Sequence, residues 1–251
     1  MSLPLVTALC RRGWRVTLLE RGQQLCSSVR AWGHVTLFSP NALNMTAAGR
    51  AALRELGLTP PAEEAFPTGD ELVDSYLAHI GTFLQQVRPQ QSQLLSSCIF
   101  MSLVFQSGQC EIHLQSAVVG VAREKLLKGD LSPERRRQQF TVLLERAGAE
   151  RLVGGLDILV DTTGTYTQHN HTGPGGLPAL GERELAGAGS ILYTLPPAPA
   201  PSTGHTLVVG CGASAVTSLA LLRRGGGAVT WVTRRGRGSP PYTVIQVQVQ
   251  V

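Results

Sequence analysis

Apolar positions recur at helical spacing over residues 3–12, with Leu5, Ala8 and Leu9 on one side, and Gly13 follows as a stop. Residues 15–19 then form a short β-rich run that ends on Glu20. Helix, turn, strand and carboxylate is therefore the order at the start. Residues 35–38 predict a further short strand. Residues 47–56 and 69–84 carry helical periodicity, and Thr68 with Glu71 three residues on has the spacing of a capping box for the second. From residue 87 to 110 the pattern changes: Gln and Ser are dense, Pro89 interrupts, and the apolar positions have no clear period. Beyond it, residues 114–122, 140–145 and 156–160 predict strands, the last of them buried and leading into "DTTGTY". Residues 168–189, rich in Gly, Pro and polar side chains, predict a loop. The proline-rich stretch 194–205 is the best candidate for a domain boundary.

The clearest unit follows that connector. An apolar strand, residues 206–209, runs into Gly210-x-Gly212-x-x-Ala215, an apolar helix comes next, and a second strand ends on Thr233, Arg234 and Arg235. In such a unit Gly210 allows a tight turn, Gly212 lets a pyrophosphate approach the backbone, and Ala215 keeps helix and strand close. The helix start, with Ser214, adds free N–H groups and a positive dipole end. The alternative is a glycine turn needed only for packing. A carboxylate at the end of the second strand would suit the 2′-hydroxyl of NAD, whereas Arg234 and Arg235 suit the 2′-phosphate of NADP, or else are solvated surface charges. Glu20 is placed the opposite way, as a carboxylate able to accept from an adenosine ribose, or as an ordinary glutamate at a strand end. The tail "YTVIQVQVQV" alternates as a strand does, yet nothing follows for it to pair with. An exposed edge of that kind favours self-association.

Composition narrows the picture without deciding it. With 251 residues, 43% of them hydrophobic, the chain can hold one large domain or two small ones. The net charge of +5 lies in short arginine clusters without interleaved aromatics, so no nucleic-acid partner is expected. The five cysteines are odd in number and never form C-x-x-C, which argues against a disulfide framework or zinc and for a reducing, cytoplasmic setting. The apolar run 94–105 contains three serines and falls well short of the roughly 20 residues a membrane span needs. His169 and His171, two apart with no third ligand nearby, read as polar loop. No metal is expected there. Cys211 reads as a small loop residue, and Ser214 lies outside any G-x-S-x-G elbow, which disfavours hydrolase chemistry.

Taken in order, "RGWRVTLLERG", "SSVRAWGHVTLFSPNALN", "VVGVAREKLLKGD", "DILVDTTGTY", "GPGGLPALGER" and "TLVVGCGASAV" resemble flavoprotein oxidoreductases with two dinucleotide-binding domains. The likeness is to flavin-containing monooxygenases and pyridine-nucleotide oxidoreductases, and it covers most of residues 11–236 except 87–110. It implies an α/β, Rossmann-like architecture for FAD and NAD(P) with two incomplete dinucleotide-binding units. Residues 1–193 would be an incomplete FAD-binding domain with an atypical insert at 87–110, residues 194–205 a connector, residues 206–236 the start of an NAD(P)-binding domain, and residues 237–251 an atypical tail.

Carried onto this chain, the resemblance implies that Glu20 binds the FAD ribose with Arg21 beside it. Trp32, Gly33 and His34 would lie on the segment approaching the flavin, although an aromatic beside a turn also suits packing. Val119 would offer its backbone to the adenine, and Thr163 and Gly164 would form the turn that returns the chain towards FAD. Gly210, Gly212, Ser214 and Ala215 would form the NADP loop. The family pattern also has a first strand and a glycine-rich loop ahead of the opening helix. This sequence has neither, so a shortened form is expected. The implied activity is an FAD-dependent, NADPH-using oxidoreductase acting on an unidentified small molecule; the alternative is a catalytically silent NADP-binding remnant or interaction protein. A short-chain reductase is disfavoured, because no Tyr-x-x-x-Lys pair follows the late glycine motif.

Overall fold

A computed structural model describes residues 3–86, 110–166, 168–197, 204–233 and 243–247. The expectations for residues 87–109 and for Arg234 and Arg235 fall outside these. The chain divides into two compact units, Met1–Gly164 and Thr165–Val251. Among the described residues no helix is long and apolar enough to cross a membrane.

The first unit opens with helix α1 (Leu3–Cys10) and strand β1 (Val16–Leu19), joined through Gly13 at φ +82°. The helix is where the sequence predicts it, but it faces the other way. Leu3, Val6 and Cys10 are buried whereas Leu5 is 42% exposed. This helix is apolar almost all round, so periodicity cannot select its face; burial of Thr7 is tolerated because its hydroxyl donates to the Leu3 carbonyl (3.0 Å). Short helices α2 (Ser27–Arg30) and α3 (Asn41–Asn44) lead to α4 (Ala47–Glu55). Residues 35–38, expected as a strand, make only a single bridge, Thr36 to Thr68.

The long second helix is continuous but mixed: α5 (Gly69–Leu72), a π-turn (Val73–Leu77) and α6 (Ala78–Gln86). Its start is a complete capping box. The Glu71 amide donates to Thr68 Oγ1 (3.2 Å) and the Thr68 amide to Glu71 Oε2 (2.7 Å). Leu72, Tyr76, Ile80 and Leu84 then pack with Leu53 and α1 into the core. Tyr76 is fully buried, and its hydroxyl accepts from the Thr46 amide (3.2 Å).

Strand β2 (Cys110–His113) runs parallel to β1, from Val16↔Cys110 to Leu19↔His113. The strand expected over residues 114–122 starts three residues late, because Gln115 turns at φ +53° and β3 (Ala117–Arg123) opens a second sheet. That sheet is an antiparallel meander with β4 (Phe140–Arg146) and β5 (Ala149–Leu156), closed by a two-residue turn with Ala147 and Gly148 both at positive φ. The turn sets where β5 begins. Its pairing with β4 ends at Leu156, opposite Phe140, so residues 157–160 lie past the end of β5, and Ile158 and Val160 are exposed rather than part of a buried strand.

In the second unit, residues 168–189 are more structured than a loop, with a 3-10 turn (Pro174–Gly176) and helix α7 (Glu182–Gly187). Strand β6 (His205–Val209), helix α8 (Ala213–Gly225) and strand β7 (Ala228–Thr233) form a βαβ unit, with β6 parallel to β7. Strand β8 (Thr243–Val247) pairs antiparallel with β7 and completes the order β6-β7-β8. The alternating tail thus has a partner, earlier in sequence, where none was expected. Val208, Ala215, Leu222 and Val229 form this unit's core.

Candidate dinucleotide-binding site

The turn between β6 and α8 is built from two glycines with different needs. Gly210 lies at φ +130°, a region L side chains rarely adopt, so this backbone itself demands glycine. Its amide donates to the Val232 carbonyl (2.9 Å), and its carbonyl accepts from Trp231 Nε1 (2.6 Å). Gly212, by contrast, has extended backbone (φ −83°, ψ 177°), and a Cβ there would meet nothing within 4 Å. The protein's own packing does not require this glycine.

Helix α8 begins directly after it. The Ala215 and Val216 amides donate to the Gly212 carbonyl, at 3.0 and 3.3 Å, while the amides of Gly212, Ala213 and Ser214 have no partner among the described residues. Unpaired donors at a helix start suit an anion. Ala215 is buried between helix and sheet, as its place in the motif implies; Ser214 and Cys211 are exposed.

The first unit places Glu20 immediately after β1. Here the polar groups are answered from within. The Glu20 amide donates to the His113 carbonyl and the Ser116 amide to the Glu20 carbonyl, both at 2.9 Å. Glu20 Oε1 accepts from the Gly22 amide (2.7 Å), and the Gly22 carbonyl accepts from the Gln115 amide (3.0 Å). Oε2 has no hydrogen-bond partner among the described residues. The Ser116 bond brings Glu20 to the start of the strand that carries Val119, which is half exposed where the register of β3 shifts. Arg21 is exposed beside Glu20.

Trp32 and Gly33 are tied to α5 instead. The Gly33 carbonyl accepts from the Asp70 amide (2.8 Å), and a Cβ on Gly69 would lie 2.9 Å from the Trp32 ring. Arg30 pairs with Asp70 (2.8 Å) and Asp74, and holds the Asp74 carboxyl below the usual range. His34 is half-buried in the same turn. Thr163 and Gly164 end the first unit in an exposed segment, where the Thr163 amide and hydroxyl both donate to Asp161 Oδ1 (2.9 and 2.7 Å) and lower that carboxyl's pKa.

No family model matches the chain, and no curated protein matches it. One solved structure does share its fold. The bacillithiol disulfide reductase Bdr (YpdA) from Staphylococcus aureus superposes with a TM-score of 0.50 at 17% identity, over 95% of this chain and 55% of that one. This chain thus spans little more than half the length of the reductase.

Two features escaped the sequence reading. Trp231 lies in the strand whose end alone drew a functional reading, yet its indole donates to the first loop glycine. The second is a polar cluster around Glu182, whose side chain is almost fully buried at the start of α7. Its carboxylate accepts from the Ala179 amide (2.7 Å), Thr172 Oγ1 (2.7 Å) and the Tyr193 hydroxyl (2.8 Å), and His171 Nδ1 lies 3.2 Å away. The Ala179 amide and then these hydroxyl donors hold it far below the usual carboxylate range despite its burial. Burial and this carboxylate together push the Tyr193 phenol up. His169 stacks on the Tyr193 ring at 4.2 Å. An acid amid Gly and Pro residues was the available signal; its hydroxyl partners, Thr172 and Tyr193, lie 10 and 11 residues away on either side.

Proposed function

We propose that this chain belongs to an FAD- and NADPH-using flavoprotein oxidoreductase of monooxygenase-like type. The observation that carries the reading is Gly212: extended backbone, open space where a side chain would stand, and unpaired amides beside it. Glycine there makes sense if a ligand's pyrophosphate occupies that space. Likeness of fold to a known reductase supports the oxidoreductase class.

In this reading Gly210, Gly212, Ser214 and Ala215 cradle the NADPH pyrophosphate, and Arg234 and Arg235, which directly follow β7, pair with the 2′-phosphate. Glu20 accepts from an FAD ribose hydroxyl through Oε2, Arg21 flanks it, and the Val119 backbone meets the adenine. Trp32, Gly33, His34, Thr163 and Gly164 line the approach to the flavin. When bound, NADPH supplies a hydride and FAD passes the electrons on to oxygen or an organic acceptor. No side chain is assigned as acid or base.

A second reading is favoured by the first unit. Glu20 Oε1 is already bonded to the Gly22 amide, and the Glu20 backbone amide and carbonyl are bonded to His113 and Ser116, so this strand end keeps little to offer an FAD ribose. The chain would then bind NADP without flavin and associate with other chains along the outer edge of β8. Visible absorption of the purified chain, with and without added FAD, followed by NADP+ titration, tests both. Flavin retained through gel filtration supports the first reading; saturable NADP+ binding without flavin supports the second. Binding of neither removes both.

A further inference from the structure

We infer that Trp231 is a positioning residue of the glycine loop, orienting the first phosphate-facing amide; this rests on the reading of that loop as an NADP site. The backbone at Gly210 is held at two points. One is the Val232 carbonyl, which accepts from the Gly210 amide (2.9 Å) and which any residue at 232 would provide. The other is the indole of Trp231, which donates to the Gly210 carbonyl (2.6 Å) and is the side-chain-specific contact.

The consequence follows from the peptide bond. A trans peptide is planar, with its C=O and the next N–H pointing in opposite directions. Fixing the Gly210 carbonyl on the indole therefore turns the Cys211 N–H away from Trp231, and that amide has no partner among the described residues. Gly210, free of the usual steric limits at φ +130°, would otherwise let this peptide rotate. Indole suits the task because its N–H only donates, so it cannot hold the peptide in the flipped state through the amide. The ring is itself held: Trp231 lies on the central strand, opposite Val208, and packs against the cluster of Val208, Ala215, Leu222 and Val229. Trp231 thus ties the turn to the sheet and to the helix start at once.

The test is NADP+ titration of the whole chain and of Trp231→Phe, which keeps an aromatic ring but loses the donor. Binding about fivefold to tenfold weaker is expected, the usual effect of one hydrogen bond. Because Trp231→Phe can also loosen the core, the indole N–H signals of wild-type protein are followed by NMR. The chain has three tryptophans, and Trp14→Phe identifies the signal of the half-exposed Trp14. NADP+ is expected to move the Trp231 indole signal saturably and slow its exchange with solvent, leaving the Trp14 signal in place. Wild-type binding with an unmoved Trp231 signal overturns the inference, as does a folded Trp231→Phe that binds within twofold of wild type. Failure of wild type to bind NADP+ removes the loop reading itself, and this inference with it.

Discussion

The ends of β1 and β6 differ in what they leave open. Both strands are parallel to a partner and both end at residues of the proposed dinucleotide sites, but at Glu20 the amide, the carbonyl and one carboxylate oxygen are already bonded within the unit. After β6 the arrangement is reversed. Gly210 is tightly held, while a Cβ on Gly212 would meet nothing within 4 Å and the amides following it have no partner among the described residues. A site that keeps unpaired donors is ready for an anion without rearrangement, whereas one that has closed on itself offers a ligand only the oxygen it left over. Two strand ends, one carrying a carboxylate and the other a glycine turn, thus differ in what they leave for a ligand.

The strongest way to break the comparison is to force a side chain onto the strained glycine. Gly210→Val is expected to cost about 2–3 kcal/mol, measured by urea unfolding, and to abolish NADP+ binding. Gly212→Asp separates fold from ligand. Asp is a good N-cap and its Cβ enters empty space, so stability should hold or rise by a few tenths of a kcal/mol, while NADP+ affinity falls about 100-fold through steric and charge exclusion, or ~2.7 kcal/mol. Equal loss of stability and binding would instead make Gly212 a packing glycine.

Gly22→Ala tests the closed end. A Cβ there would stand 2.8 Å from that of Ser27, whose hydroxyl is bonded to the Gln24 carbonyl. A cost of about 1–3 kcal/mol to the first unit is expected, with NADP+ binding unchanged. The Glu182 cluster makes the second unit sensitive to acid. Its carboxyl is depressed in the fold, so its stabilisation is complete above the ordinary carboxylate pKa of about 4.3 and is lost as pH falls below that. The raised Tyr193 phenol acts at the other end: its contribution is present below about pH 10 and is lost as pH rises further. Amide exchange at Thr172 and Ala179, followed against pH, should show protection failing in acid, and Glu182→Gln should remove that acid step. The smallest effect is expected of Glu20→Gln, whose amide oxygen can still accept from Gly22. Stability should change by less than about 0.5 kcal/mol, and only flavin retention should fall.

Legibility followed the range of the interaction. The capping box at Thr68 and Glu71, the end of β1 at Glu20 and the strand–glycine–helix order around Gly210 rest on neighbours within a few residues, and all three elements lie where the pattern put them. The buried strand expected over residues 156–160 failed because β5 ends at Leu156, opposite Phe140, where its partner β4 starts. The loop expected over residues 168–189 was incomplete because its order comes from a carboxylate gathering donors from both sides.

The sequence by itself determined where backbone must bend, where helices begin and which strand ends carry a glycine turn or a carboxylate, since those depend on φ/ψ limits and local hydrogen bonds. Only the tertiary structure decided which face of α1 is buried, that β8 pairs back onto β7, that Glu182 lies inside and that the Trp231 indole holds Gly210. Each of these is a choice among partners distant in the chain. Local periodicity cannot rank such partners, because the free energy that separates them arises when the surfaces meet.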